Sequence, residues 1–172
     1  MAGASFPFRR LTMQNKFHIA FTTLMVLSAS AAAAQQGPAA AVDAFHAALK
    51  RGDSKAVTAL LAPDALIFEA GHIERSAAEY AGGHLAGDAA HAAKTVTVPV
   101  ARQCLITPAQ AVIMSESTTT ADGRADPRIG TETMVLTKLS EGWQIAHIHW
   151  SSRKLPTGAA LPKRREIAAD CN

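Results

Sequence analysis

From Lys94 to Arg153 the chain alternates apolar and polar residues along four long stretches: KTVTVPVARQCLI, AQAVIMSESTTT, IGTETMVLTKL and WQIAHIHWSSR. A period of two is the signature of extended chain whose side chains point to opposite faces. The stretches are separated by turn residues, Asp122-Gly123 in ADGRADPR and Glu141-Gly142 before the last. Such short connections make neighbouring strands antiparallel, so this half of the chain is a meander. Pro99 cannot donate to a ladder and marks an edge strand or a bulge.

The preceding half has a different period. AVDAFHAALKRGD places Val42, Phe45, Ala48 and Leu49 on one helical stripe and ends at Gly52. SKAVTALLA reads as a second short helix with Val57, Leu60 and Leu61 inward, stopped by Pro63. ALIFEAG reads as a strand with Gly71 at its turn. Ser76 and Glu79 form a capping box that opens a third helix over residues 77–93. Gly82 and Gly83 weaken that helix by about 1 kcal/mol each against alanine. Helices first and antiparallel strands after give an α+β fold, a curved sheet wrapped on a helical layer.

Residues 1–34 stand apart. Arg9, Arg10 and Lys16 precede the apolar run FHIAFTTLMVLSASAAAA, which ends in small residues at Ala32 and Ala34. This is the layout of a secretory signal peptide, with Met13 as an alternative start. The apolar part is short and contains His18, which argues against a retained anchor and for no stable membrane insertion after cleavage. The expected organisation is signal 1–34, linker 35–41, one domain over 42–153 and a C-terminal tail over 154–172. The expected location is periplasmic or secreted. Those three leading cations account for the formal charge of +3, so the remainder is balanced and nothing points to nucleic acid. Cys104 and Cys171 are compatible with a disulfide in an exported protein or with two free thiols.

The order of elements resembles the nuclear transport factor 2-like (NTF2-like) superfamily, which includes SnoaL-like and ketosteroid-isomerase-like proteins. The opening AFHAALKRGDSKAVTALLAPDALIFE and the close GTETMVLTKLSEGWQIAHIHWSS carry the resemblance. The close is also similar to the association domain of calcium/calmodulin-dependent kinase II. The resemblance implies a cone: N-terminal helices packed on a strongly curved antiparallel or mixed sheet. It also implies that Trp143, Ile145, His147 and His149 face inward. Where the kinase module has arginines in its pocket, this chain carries Glu116 and Met134. Because one cone hosts several chemistries, the resemblance speaks to fold more than to function.

On that frame Glu132, Met134 and Leu136 share the inner face of their strand, and Met114, Glu116 and Thr118 that of theirs. His147 and His149 are then candidates for a catalytic acid–base pair steadied by Glu132, since imidazole titrates near neutrality and a carboxylate raises its affinity for protons. They can equally be satisfied core histidines or metal ligands. Tyr80 and His84, spaced i, i+4, are candidate hydrogen-bond donors to substrate, with Glu116, Met134 and Trp143 lining the site. Asp88 and His91 extend the same helix, and Glu69 could reach the mouth. The expected function is binding of a small, partly apolar molecule, with lyase, isomerase or cyclase chemistry and no cofactor. The alternatives are a non-catalytic dimeric module and a periplasmic metal-binding protein. Ile113, Thr133, Val135, Ile148 and Trp150 are expected to face outward and form a homodimer interface.

Overall fold

The computed structural model describes residues 37–121, 127–156, 158–165 and 171. The segment expected to be a signal peptide and the expected Asp122-Gly123 turn lie outside the described residues.

Helix α1 spans Pro38–Arg51, so it begins inside the segment expected to be linker. Proline suits a first helical turn because its missing N–H has no intrahelical acceptor there. Val42, Phe45, Ala48 and Leu49 are buried as the periodicity requires. Gly52 closes the helix at φ 69°, and its N–H reaches the carbonyls of Ala48 and Leu49. Asp53 then caps α2, Ser54–Leu60, by accepting the Ala56 N–H at 3.0 Å.

Strand β1, Leu61–Glu69, turns into β2, His72–Glu74. The capping box is present: Ser76 Oγ accepts the Glu79 N–H at 3.0 Å, and Glu79 Oε2 accepts the Arg75 N–H at 2.6 Å. The helix expected over 77–93 divides at Gly83-His84 into α3, Ala77–Gly82, and α4, Leu85–Ala93. The four remaining strands are β3 (Thr95–Ile106), β4 (Gln110–Ala121), β5 (Arg128–Leu139) and β6 (Gly142–Lys154).

The sheet runs β2-β1-β6-β5-β4-β3 and is mixed, because β1 lies parallel to β6 while the other pairs are antiparallel. It curves without closing around the helices, in an α+β NTF2-like cone. Phe45, Leu60, Ile67, Leu85, Ile113, Met134, Leu136, Ile145 and Ile148 fill the space between the two layers.

One irregularity decides which residues enter the cone. Val135 pairs with His147 and Leu136 with Ile145, which leaves Ala146 as an extra residue. Such a bulge shifts the alternation by one. Before it, Trp143 and Ile145 point inward as expected. After it, Ile148 and Trp150 point inward, and His147 and His149 point out. The expected outward set is corrected accordingly: Ile113 and Ile148 are core, Trp150 packs against that core, and Thr133 and Val135 alone belong to the outer face.

A disulfide joins Cys104 to Cys171, across 67 positions of chain. Cys171 is buried with the core, and Arg165 N–H donates to the Val100 carbonyl at 2.8 Å on edge strand β3.

Candidate functional site

A register row crosses the inner face of the sheet: Glu69 on β1, Trp150 on β6, Glu132 on β5, Ser115 on β4 and Arg102 on β3. Above this row stands α1. Its stripe buries Val42, Phe45 and Leu49 and sets His46, on the flank, over the strands.

His46 Nε2 lies 2.9 Å from Glu132 Oε2, and Trp150 Nε1 donates to the same oxygen at 2.6 Å. Glu132 Oε1 therefore has no hydrogen-bond partner among the described residues. Burial alone would raise the Glu132 pKa, but the charge and hydrogen bond of His46, helped by the indole, hold it below its ordinary value. Burial likewise opposes a charge on His46, yet Glu132 outweighs it and lifts the imidazole above its ordinary value. Between the lowered carboxyl value and the raised imidazole value the pair is an imidazolium against a carboxylate. The partner fixes Nε2 as the nitrogen facing Glu132, which leaves Nδ1 for a ligand.

Both residues line two adjoining hollows of about 460 and 580 Å³, which also share Leu49, Ala92, Thr97 and Ser117 in their walls. The smaller hollow includes Arg102, whose guanidinium meets Asp43 at 2.8 Å. The larger is bordered by Glu69, Asp88, His91, Arg128 and Trp150. Burial first, then mutual repulsion among acids, raises the Glu69 carboxyl; burial raises Asp88 despite the hydrogen bond from Tyr80.

The expected grouping of Glu132 with His147 and His149 does not form. His147 Nδ1 sits 2.9 Å from the Leu66 carbonyl, with its ring edge-on to Phe68. His149 is exposed beside Phe68 and touches only the border of the larger hollow. Glu116 is on the face opposite Glu132, since Ser115 is the residue that pairs with Glu132; it meets Arg165 at 3.3 Å and borders the smaller hollow. Met134 and Trp143 belong to the core, Trp143 beneath the Lys138 ammonium. Tyr80 is buried, and its hydroxyl donates to Asp88 Oδ2 at 2.9 Å, so it is not free for a substrate; burial raises its pKa far above the ordinary phenol range. His84 lies outside, hydrogen-bonded to Glu74.

The residue that sequence reasoning missed is His46. The signal was available: it lies four residues after Val42 and three before Leu49, at the edge of the stripe. Among the described residues no group of three or more His, Cys, Asp or Glu side chains could hold a metal ion. No helix among them is long and apolar enough to cross a membrane.

The comparisons with known proteins agree with this architecture. A family model described as a SnoaL-like domain matches residues 39–154. A structure from Shewanella frigidimarina, provisionally assigned as a ketosteroid isomerase, is 37% identical with a TM-score of 0.62, covering 66% of this chain and 95% of its own. A provisionally assigned kinase II association domain from Xanthomonas campestris is 23% identical, with a TM-score of 0.58 over 67% of this chain and 84% of that one. A provisionally assigned NTF2-like dehydratase from Streptomyces avermitilis is 17% identical, with a TM-score of 0.54 over 65% of this chain and 90% of that one. The last two show the fold alone. No curated protein matches the chain.

Proposed function

The chain belongs to the SnoaL-like family, and from that premise we propose that it is an exported small-molecule enzyme of the isomerase or lyase type, with His46 as its acid–base group. The observation that carries the reading is the convergence of His46 and Trp150 on one oxygen of a buried Glu132, at the wall of a cavity. Glu132 is then a positioning carboxylate: it orients the imidazole and stabilises its protonated form. Protonated His46 donates from Nδ1 to a carbonyl or leaving oxygen, and once neutral it accepts a proton at the same atom. The provisional isomerase name of the 37% identical structure concerns a reaction of this proton-transfer kind.

Proton abstraction next to a carbonyl can be tested without knowing the substrate. Small ketones and hydroxyketones in D₂O are followed by proton NMR for loss of the α-hydrogen signal. Enzyme-dependent exchange with any member of the panel supports the reading. A panel that exchanges no faster than buffer counts against it and in favour of a binding or assembly module.

The second reading has its own observation. Leu66, Ile73 and Leu105 are exposed, and with Phe68, Met114 and Val135 they put apolar side chains on the outer sheet face beside His147, His149 and Thr133. An S. rosetta CaMKII hub is among the similar structures. A homodimer across this face is compatible with catalysis within each cone. Export accords with the disulfide, which persists in oxidising compartments.

A further inference from the structure

Between Arg128 and Glu132, on the same face of β5, stands Gly130. Its row is Ser117–Gly130–Ser152, and a Cβ built there would come within 3.1 Å of Ser117 Oγ. A glycine inside a strand often marks close approach of another molecule. Here it leaves a trough in the wall of the larger hollow, with the His46–Glu132 pair at one end and Arg128 at the other. Arg128 and Glu132 are four residue steps apart on the strand, roughly 13 Å between α-carbons.

Arg128 is built to stay in place. Its Nε and Nη2 donate to Ser152 Oγ at 3.2 and 2.9 Å, and Nη2 reaches the Ser152 carbonyl at 3.3 Å. Among the described residues no carboxylate pairs with it. Thr119 stands opposite it on β4 and Lys154 on β6. Thr119 and Thr97 bring their hydroxyls within 3.2 Å of each other on the same wall. An immobilised guanidinium beside hydroxyl donors is an anion grip.

We propose that the trough over Gly130 binds an organic monocarboxylate, with its carboxylate on Arg128 and its far end against Trp150 and the His46–Glu132 pair. A monoanion is favoured over a phosphate dianion because Glu69, Asp88 and Glu132 line the same hollow and repel further negative charge. This rests on reading the hollow as a small-molecule site and adds the class of molecule.

Octanoate and the uncharged octanamide serve as probes on the whole protein, followed through the two tryptophan indole N–H signals by NMR. Octanoate is expected to shift the Trp150 signal saturably and to bind at least tenfold more tightly than octanamide. Arg128→Gln should bring octanoate down to the octanamide level and leave octanamide unchanged. Gly130→Val should weaken both. Arg128→Gln lies at the rim and tests the grip even if Gly130→Val fails to fold. Equal binding of the two probes, failure of octanoate to bind, or full octanoate affinity in Arg128→Gln would overturn the proposal. Equal binding would do so while leaving the hollow a small-molecule site, and enzyme-dependent exchange in D₂O stands or falls separately.

Discussion

Two glutamate–histidine pairs face different surroundings in this molecule. Glu132 and His46 meet at the wall of the cavity, with a tryptophan as third member and one carboxylate oxygen left open. Glu74 and His84 meet under the break between α3 and α4, where the carboxylate is buried, its Oε2 has no hydrogen-bond partner and the imidazole is half-exposed to solvent. Glutamate raises both histidines. The difference lies in access and in neighbours. His46 borders a hollow that can hold a molecule. The Glu74 pair closes a helix junction, where the nearby acids Glu69 and Asp88 repel Glu74 and add to the pull on the His84 proton. An acid–histidine pair is thus no marker of a site by itself; what the unused nitrogen can reach decides.

The largest expected effect separates the pairs by reaction rate. His46→Gln should reduce enzyme-dependent exchange in D₂O by about 10²–10⁴-fold, the usual contribution of a positioned acid–base group, while His84→Gln leaves it unchanged. Equal losses would erase the distinction.

A smaller effect concerns stability. Glu132→Gln removes the charge that balances His46 and weakens the acceptor of the Trp150 N–H. A cost of about 1–3 kcal/mol is expected in urea unfolding at neutral pH, toward the lower end because water reaches His46. Glu74→Gln relieves repulsion from Glu69 and Asp88 while keeping an acceptor for His84. It should shift stability by less than about 1 kcal/mol. A larger loss for Glu74→Gln would reverse the ordering.

The smallest effect is a pH window. His46 is raised above its ordinary 6.5, so its contribution is full below that value and lost as pH rises through the raised one. Glu132 is lowered below its ordinary 4.5, so its contribution is full above 4.5 and lost as pH falls through the lowered one. The stability difference between wild type and Glu132→Gln should therefore be greatest between pH 4.5 and 6.5 and shrink on both sides. A difference that keeps growing above pH 8 would contradict an ionic pair.

Much of this architecture was legible in the residues. The shift from a 3.6 to a 2.0 period gave helices before sheet, Gly52 and Ser76 gave helix boundaries, and Glu132, Met134 and Leu136 share a face as their alternation requires, the inner one that the resemblance implied. Two events hid the histidine. The extra residue at Ala146 carries no compositional mark, because alanine fits either face, yet it turns His147 and His149 outward. On β4 both alternating sets contain apolar and polar residues, so Met114-Glu116-Thr118 looked as fit for the interior as Ile113-Ser115-Ser117, which is the set that faces it. His46 comes from a helix more than eighty residues earlier, and only packing brings it to Glu132. The disulfide was open for the same reason: spacing says nothing about which distant chain ends meet.

The account turns on the contact between Glu132 and His46, and NMR titration of the histidine rings measures it directly. His46 should titrate above its ordinary 6.5 in the wild type and fall toward that value in Glu132→Gln, with His84 unmoved. A His46 curve that is the same in both proteins would mean that the carboxylate and the imidazole do not meet, and the proposed site would be wrong.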